Sequence, residues 1–495
     1  MKPTTRDACK LLHDGSLALS RVEANGIRID VVRLDKTIEK VKKRIDKLSK
    51  RLHEAEEWKV WKRLYGSKTK QGARQQLGRV LKEMGHEWGE KTVKGRAKVD
   101  EIVLEGLDVP FVKSYLEIEK LMKLHGTYLK GVRREVVDGF LHPSFDLNTV
   151  ITFRSSSSNP NFQNIPIRDK SIGKLIRSCF VPREDHVLVE IDFSGLEVRI
   201  AACYHKDPVM VEYIETGYDL HREMAAECFC VEEREVSKEM RFYAKNQFVF
   251  PEFYGSYFMQ CAPNLWKMVV ESGLQKEMAD DNECRFCGRG CMQNVCSACG
   301  GKQHLSVKDH LAENGIEELG SHDSMWGEKR KTGRNNGRET GRIKTESGTF
   351  VDHIRRVEQE LWDRFEVYAQ WKLDWHAKYL KRGWFEMLTG FRESGVYSKN
   401  DAINHPVQGS AFHCLLWCLI ELVKWTGRQK MQTKVVGQIH DSIIADVHRD
   451  ELDDYVGKAK ELMTRDIRRA WDWIVVPLDV DVETSETNWF EMQAI

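Results

Sequence analysis

This sequence of 495 residues has few prolines, almost no net charge and no long hydrophobic run. Its longest uninterrupted apolar run is 414–420. A helix needs roughly 20 apolar residues to cross a bilayer, so we expect no membrane association. Residues 1–20 lack the apolar core of a secretory signal peptide, which argues against export. With 11 prolines and a formal net charge of +1, length and composition predict a globular, cytoplasmic protein of roughly three domain-sized units.

The 13 cysteines are unevenly distributed, and 5 of them lie between 284 and 299. The other 8 are scattered and are predicted to be reduced, as in a cytosolic protein. Two CxxC pairs at this spacing predict one structural Zn²⁺ ion bound by four thiolates. The predicted ligands are Cys284, Cys287, Cys296 and Cys299, with Cys291 and His304 as spare candidates.

Apolar residues at alternating spacings of 4 and 3 predict a helix with a strongly basic outer face. The apolar stripe comprises Leu34, Ile38, Val41, Ile45, Leu48 and Leu52. Residues 107–136 and 351–382 have helical patterns too, whereas 21–30 is predicted to be extended.

Short strands are predicted at 187–191 and within 435–447, where two strands join at His440-Asp441. The serine- and asparagine-rich segment 149–166 is predicted to be an ordered polar loop.

Asp192 ends one predicted strand, and Asp441 lies in the turn between the two later strands. Carboxylates at strand ends are typical ligands of hard divalent cations. Two such ions can stabilise both the attacking and the leaving oxygen of a phosphoryl transfer. Taken alone, each aspartate is equally consistent with a helix cap or a turn residue.

Motifs spread over most of residues 20–495 resemble those of the family A DNA polymerases, the group of bacterial DNA polymerase I and many phage replicative enzymes. They are Arg154 with Ser156-Ser157, residues 160–166, residues 192–199, Arg241-x3-Lys245 with Tyr254-Gly255, Asn404-x3-Gln408-Gly409, His440-Asp441, and the C-terminal VPLDVDVETSETNW. The resemblance implies an α+β fold, the right-hand polymerase fold, with an antiparallel palm sheet, helical fingers and thumb, and a small zinc-knuckle insertion. The implied domains are an N-terminal segment and thumb (1–140), a first palm segment (141–205), fingers (206–404, with the insertion at 275–346) and a second palm segment (405–495).

The resemblance implies that Asp192 and Asp441 bind two Mg²⁺ ions, aided by the backbone carbonyl of Phe193. The residues implied to bind the nucleotide are Arg241, Lys245, His221, Glu197, Phe250 and Tyr254. Lys245 would also protonate the pyrophosphate leaving group, and Glu197 would select against a ribose 2′-hydroxyl. The residues implied to contact the primer–template minor groove are Arg154, Asn161, Gln163, Asn164, Asn404, Gln408 and His440.

The chain departs from the family pattern at several positions. One extra residue separates Lys245 from Tyr254, so either Val249 or Phe250 takes the nucleotide-facing aromatic position, and we favour Phe250. A single wide helical turn would absorb the extra residue, and Pro251 predicts a kink. Three further departures are Gly195 for a commoner glutamine, Asn400 for a frequent arginine, and Ser442 where a glutamate usually follows the aspartate.

The predicted activity is template-directed DNA synthesis from dNTPs on a primer–template, by a monomer in the cytoplasm of a bacterium or a phage-infected host. Because the thumb-like helix begins near residue 30, we expect no exonuclease in this chain. The insertion is predicted to contact the template strand or a replication accessory protein. Two alternatives remain: a specialised repair or lesion-bypass polymerase, and a catalytically silent DNA-binding replication factor.

Overall fold

The computed structural model describes residues 3–86, 88, 99–167, 169–276, 306–321 and 348–495. The chain divides into two compact units. The sheet unit contains 6–196, 411–470 and 478–495, and the helical unit contains 1–5, 197–410 and 471–477. The predicted zinc ligands, between 284 and 299, lie outside the described residues.

The helices and strands are numbered here in chain order. The helices are α1 (Thr5–Asn25), α2 (Val31–Glu54), α3 (Glu56–Tyr65), α4 (Arg74–Glu83), α5 (Glu101–Glu105), α6 (Pro110–Lys123), α7 (Lys130–Glu135), α8 (Lys170–Arg177), α9 (Leu196–His205), α10 (Pro208–Thr216), α11 (Leu220–Phe229), α12 (Lys238–Ala244), α13 (Phe250–Phe253), α14 (Phe258–Glu271), α15 (Val307–Glu313), α16 (Phe350–Arg364), α17 (Glu366–Arg382), α18 (Lys399–Gln429), α19 (Leu452–Glu461) and α20 (Ile467–Ala470). The strands are β1 (Ile27–Arg28), β2 (Val136–Val137), β3 (Phe140–Leu141), β4 (Ser144–Asp146), β5 (Ser156–Ser158), β6 (His186–Phe193), β7 (Trp384–Glu386), β8 (Arg392–Ser394), β9 (Lys434–Ile439), β10 (Ser442–His448), β11 (Val480–Ser485) and β12 (Gln493–Ala494).

The sheet unit is built on a five-stranded sheet in the order β12-β11-β6-β10-β9. All neighbouring strands are antiparallel. Strands β9 and β10 are joined by His440 and Asp441, as the sequence predicts, and the first six residues of β10 are buried. The mixed helix-and-sheet fold expected from the sequence is therefore confirmed, and strand β6 carries the predicted Asp192 near its end.

Helix α1 corrects the prediction that 21–30 is extended. It continues to Asn25, and only Ile27 and Arg28 form a strand. The buried residues of α1 recur at helical spacing and so bury one face of the helix; they are Ala8, Leu11, Gly15, Ala18, Leu19 and Val22.

Helix α2 confirms the amphipathic helix that was predicted from apolar spacing. The Asp30 side chain caps it by accepting from the backbone N–H of Arg33. Its basic outer side chains are exposed, while Leu34, Val41 and Leu52 are buried. Leu52 joins a core with Trp61 and other buried residues of α3, α4 and α6.

The helical unit contains α10 to α17, most of α9, and the β7–β8 hairpin. Between α12 and α13 the backbone forms a wide turn at Lys245–Val249, in which the N–H of Phe250 donates to the carbonyl of Lys245. This five-residue spacing is that of a π-helix. It confirms the prediction that one wide turn absorbs the extra residue.

Among the described residues, one helix, α18, is long and apolar enough to cross a membrane by length and composition alone. Within the most apolar window of this helix, 83% of the residues are buried. Burial on all sides is typical of a helix in the core of a folded protein.

Candidate active site

Four carboxylates share one face of the central sheet. Glu190 and Asp192 are two residues apart on β6, so their side chains point to the same face. On β11, Asp481 lies opposite Asp192 and Glu483 lies opposite Glu190. Like charges directly opposite each other destabilise an antiparallel pair. The face is therefore suited to binding cations, and oxygen-only ligands favour hard divalent ones.

Asp192 is open to solvent on the sheet face, yet protein surrounds the rest of its carboxyl group. This partial burial is the largest cause that raises the pKa of Asp192 to about 7, and repulsion from other carboxylates is the second. The repelling groups are Asp441, Glu190, Asp481 and Glu483. Burial and the same kind of repulsion also raise the pKa of Glu483. A bound cation would relieve this repulsion.

Asp441 is placed beside this face by a tight turn. The backbone N–H of Phe193 donates to the carbonyl of Asp441 at 3.2 Å, which ties the turn to the end of β6. His440 has a φ of +46°, a left-handed conformation that is uncommon for residues other than glycine. The predicted metal ligands Asp192 and Asp441 are therefore brought together, and Phe193 lies next to them.

Glu190 was not predicted as a site residue. Its two carboxylate oxygens accept from the Ser442 hydroxyl at 2.8 Å and from the Trp489 indole N–H at 2.9 Å. Ser442 occupies the position after Asp441 where the family usually has a glutamate. The only signal in the sequence was the spacing of Glu190 and Asp192, and it carries no information about which strands flank them.

The polar loop before β6 is fastened to β9 by Gln438, another residue that was not predicted from the sequence. Gln438 is 2% exposed, and its carbonyl oxygen accepts from Ser155 at 2.7 Å and from Gln163 at 2.8 Å. Its amide nitrogen donates to the carbonyl of His440 at 2.7 Å. The predicted DNA-contacting Gln163 and His440 are thus held by one buried side chain, whereas Asn161 and Asn164 are exposed.

In the helical unit, the predicted triphosphate-binding residues lie on α11, α12 and the wide turn. The Arg241 Nε donates to both oxygens of Asp219, at 3.1 and 2.8 Å, so the two terminal nitrogens point elsewhere. Asp219 also caps α11 by accepting from the N–H of Arg222. Burial, and then the positive charges of Lys245 and Arg241, lower the pKa of His221 to about 4. A neutral His221 can therefore donate one hydrogen bond to a phosphate but adds no charge.

Phe250 and Val249 differ in burial and in the residues that they contact. Val249 is fully buried, whereas Phe250 is half-buried. The Phe250 ring lies edge-on to His221 at 5.5 Å, and the Lys245 ammonium is 5.1 Å from its centroid. Pro251 lies in the first turn of α13, two residues after the end of the wide turn. Phe250 thus shares a surface with the predicted phosphate-binding residues, and Val249 does not.

Tyr254 and Gly255 follow α13. The Tyr254 hydroxyl donates to the Glu197 carboxylate. Gly255 has a φ of +94°, and a Cβ there would lie 2.6 Å from the Asn400 side-chain oxygen. The backbone conformation therefore favours glycine at this position, and any larger residue would also displace the Asn400 side chain. Asn400, which departs from the family pattern, packs against this turn.

A buried polar cluster supports the far side of α13. Glu252 is 0% exposed and accepts from the Trp362 indole at 3.1 Å. Burial, and then repulsion from Glu358, raise the pKa of Glu252 to about 8. Burial lowers the pKa of Lys372, which donates to the Glu252 carbonyl, to about 7. This cluster was not predicted, because its members come from distant helices.

The remaining predicted DNA contacts are half-buried: Arg154 in the loop, and Asn404 and Gln408 on α18. The side-chain oxygen of Asn404 is buried and has no hydrogen-bond partner in the described parts of the chain. An orphaned acceptor of this kind is costly unless a ligand or water satisfies it.

Comparison with known proteins identifies one family. The model of DNA polymerase family A matches residues 35–277 and 383–491. DNA polymerase I of Lactococcus lactis subsp. cremoris is 27% identical over 479 residues, which cover 96% of this chain and 44% of the relative. The thermostable DNA polymerase I of Thermus thermophilus is 35% identical over 236 residues, 46% of this chain and 27% of the relative. The chain thus spans less than half of the length of these relatives.

Similarity extends to a phage protein and to a solved structure. The DNA polymerase of Bacillus phage SP01 is 24% identical over 412 residues, covering 80% of this chain and 37% of the relative. The polymerase domain of Pol1 from M. smegmatis, solved with DNA primer-template and dNTP, aligns with a TM-score of 0.69 at 21% identity. That alignment covers 96% of this chain and 70% of the solved one, and it shows that the two share a fold.

Proposed function

The chain belongs to the family A DNA polymerases, and on that premise we propose that it extends the 3′ end of a DNA primer with deoxynucleotides, as a template directs. The observation that carries the proposal is the acidic sheet face, where Asp192 and Asp441 lie together among further carboxylates. The related polymerase domain was solved with primer-template and dNTP, which supports these two as the partners.

The donor set of this face fits two Mg²⁺ ions. Carboxylate oxygens are the ligands that Mg²⁺ prefers, and the mutual repulsion of the carboxylates favours positive charge between them. Asp192 and Asp441 would hold the ions with the carbonyl of Phe193. When bound, such ions stabilise the charge that develops on the attacking and leaving oxygens.

The helical unit offers the groups that an incoming triphosphate needs. In the proposed reaction the primer 3′ oxygen bonds to the α-phosphorus, and the bond to pyrophosphate breaks. Arg241 and Lys245 would bind the triphosphate through cationic donors, with His221 as a neutral donor. Lys245 would give a proton to the leaving pyrophosphate, and Phe250 and Tyr254 would face the base. Glu197 would exclude a 2′-hydroxyl.

The minor groove of the primer–template is the proposed ligand of seven polar residues. They are Arg154, Asn161, Gln163, Asn164, Asn404, Gln408 and His440. Acceptors occur in the minor groove at every base pair, so polar donors can test pair shape without reading sequence. The exposed basic face of α2 would bind phosphates through counterion release.

The domain boundaries given above remain a proposal: thumb within 1–140, palm at 141–205 and 405–495, and fingers at 206–404. The family match is interrupted between 278 and 382, an interval that contains both CxxC pairs. The interruption supports an insertion, and the two CxxC pairs support one structural Zn²⁺ within it. We propose that this insertion contacts the template or an accessory protein. Metal analysis should find one zinc per chain, and deletion of 275–346 should lower DNA affinity; unchanged affinity would contradict a DNA contact.

Monomeric state and cytoplasmic location stay predictions. A silent DNA-binding factor is disfavoured because Asp192, Asp441 and Lys245 are all present. A lesion-bypass role would appear as efficient extension past an abasic template position.

Primer extension with dNTPs and Mg²⁺ tests the proposed function. The native chain should extend the primer, whereas Asp192→Ala and Asp441→Ala should not. Glu486→Gln is a matched control, because it removes one exposed carboxylate of the same unit, paired with Arg449. Absence of extension by the native protein would reject the proposal.

A further inference from the structure

Glu190 is a carboxylate of the acidic face that the proposed metal ligands leave without a role. It lies two residues before Asp192 on β6, on the same face, and opposite Glu483 in register. Asp192 on β6 already lies opposite Asp481 on β11, so Glu190 adds a second pair of like charges between the same two strands. Some compensating interaction must therefore involve this side chain.

The hydrogen bonds of Glu190 fix the position of its carboxylate, and their donors carry no charge. Both carboxylate oxygens accept from neutral donors, the Ser442 hydroxyl and the Trp489 indole. These donors are 3% and 1% exposed, respectively, so they come from the packed core. The Trp489 ring is itself held by stacking on Phe162 at 5.1 Å. Neutral donors orient an anion without neutralising it, which is how outer residues support ligands of a metal.

The Glu190 carboxylate lies beside Ser442, the first residue of β10. Ser442 follows Asp441 directly and lies opposite Asp192 in register. Since the Glu190 carboxylate is 2.8 Å from the Ser442 hydroxyl, it reaches this position from the neighbouring strand. We propose that Glu190 supplies, from β6, a third carboxylate of the divalent-ion site beside Asp192 and Asp441. This inference rests on the proposed function.

A purely structural role for Glu190 is the rival explanation. Arg177 is 5% exposed, and its guanidinium lies 3.9 Å from the centroid of the Trp489 ring. Glu190 contributes to the field around that buried cation. However, the hydrogen bonds described for Arg177 go to the carbonyls of Pro166 and Ile165. If Glu190 served only Arg177, its removal would lower stability and leave ion binding unchanged.

Electron paramagnetic resonance can measure Mn²⁺ binding to the full chain in the absence of nucleotide. This measurement distinguishes a role of Glu190 in the ion site from a purely structural role. Glu190→Gln keeps the shape and hydrogen-bonding capacity of the side chain but removes its charge. We expect it to weaken Mn²⁺ binding at least about tenfold, because loss of a residue that only supports a metal ligand already costs that much. The Mg²⁺ concentration that half-saturates primer extension should rise by a similar factor. Glu486→Gln should change neither quantity.

Relocation of the carboxylate gives a second test. Glu190→Ala/Ser442→Glu moves the carboxylate to β10, and it should recover most of the Mn²⁺ affinity that Glu190→Ala loses. Native-like Mn²⁺ binding by Glu190→Gln would overturn the inference, and so would a folded double variant that binds no better than Glu190→Ala. In either case, extension by the native chain leaves the proposed function standing. Failure of the native chain to extend any primer would overturn the proposed function and, with it, the role of Glu190.

Discussion

The hydroxyl of Tyr254 donates a hydrogen bond to the carboxylate of Glu197. Tyr254 follows α13, and Glu197 lies in the first turn of α9. The contact fixes a carboxylate beside the predicted nucleotide-binding aromatics, because the Tyr254 ring lies 6.2 Å from Phe250. A fixed side chain can exclude a substrate group sterically, whereas a mobile one moves aside.

The choice of sugar should therefore depend on Glu197. We expect Glu197→Ala to raise ribonucleotide incorporation, relative to deoxynucleotide, by roughly 10- to 100-fold, the range for steric discrimination of one small group. Tyr254→Phe should produce a smaller change in the same direction, because it frees Glu197 without removing it. Competition between ATP and dATP on one template measures the ratio. Glu215→Ala, an exposed glutamate on α10, is the control, and an unchanged ratio in Glu197→Ala would contradict the assignment.

Phe250 and Val249 should respond oppositely to truncation. Phe250→Ala should raise KM for dNTPs about tenfold, since stacking on a base contributes roughly 1–3 kcal/mol. Val249→Ala should instead lower the unfolding temperature, because it leaves a cavity in the core, and KM should stay near native. Steady-state kinetics and thermal unfolding of both variants check this. An increase in KM for Val249→Ala alone would show that Val249, and not Phe250, faces the nucleotide.

The metal-free protein should lose stability as pH rises from about 4, the ordinary pKa of an aspartate, to about 7. The pKa of Asp192 is about 7 in the folded chain against a lower ordinary value, so the folded state binds the proton more tightly. Its contribution to stability is full at low pH and is lost as pH rises through about 7. We expect unfolding temperatures in EDTA to fall by a few degrees across this window for the native chain and less for Asp192→Asn. Equal slopes for both proteins would contradict this source of the pH dependence.

Gln438 should matter for DNA binding although it is buried. Gln438→Ala removes the side chain that holds Ser155, Gln163 and the His440 carbonyl. It also leaves the buried Ser155 hydroxyl without the acceptor to which it donates, at a cost of about 1–3 kcal/mol. We expect a weaker Kd for primer–template and a lower unfolding temperature. The exposed Gln429→Ala is the matched control, and native-like DNA affinity in a folded Gln438→Ala would contradict the role.

Local patterns in the sequence were sufficient for α2, β6 and the β9–β10 hairpin. Helix α2 has the apolar repeat of an amphipathic helix, whereas the strands are short apolar runs rich in β-branched residues. The wide turn at 245–249 could also be predicted, because one extra residue between Lys245 and Tyr254 must be absorbed somewhere. Helix α1 was missed at its end because its last turn precedes a short strand without a break in composition.

The acidic face could not be read from the sequence. It depends on β11 pairing with β6 in a register that places Asp481 opposite Asp192, and these residues are far apart along the chain. Pairing of distant strands is set by the packing of the whole sheet rather than by local composition. Glu190 could not be predicted as a site residue for the same reason, because its hydrogen-bond partners Ser442 and Trp489 come from two distant segments of the chain.

Incorporation of a single nucleotide on a defined primer–template tests the central claim most directly. With Mg²⁺ and one dNTP at a time, the native chain should add only the nucleotide complementary to the next template base, lengthening the primer by one residue and releasing pyrophosphate. Asp192→Asn and Asp441→Asn, which keep side-chain shape, should each lower the rate by on the order of 10³-fold. An unextended primer with all four dNTPs, or addition that ignores the template base, would contradict the account.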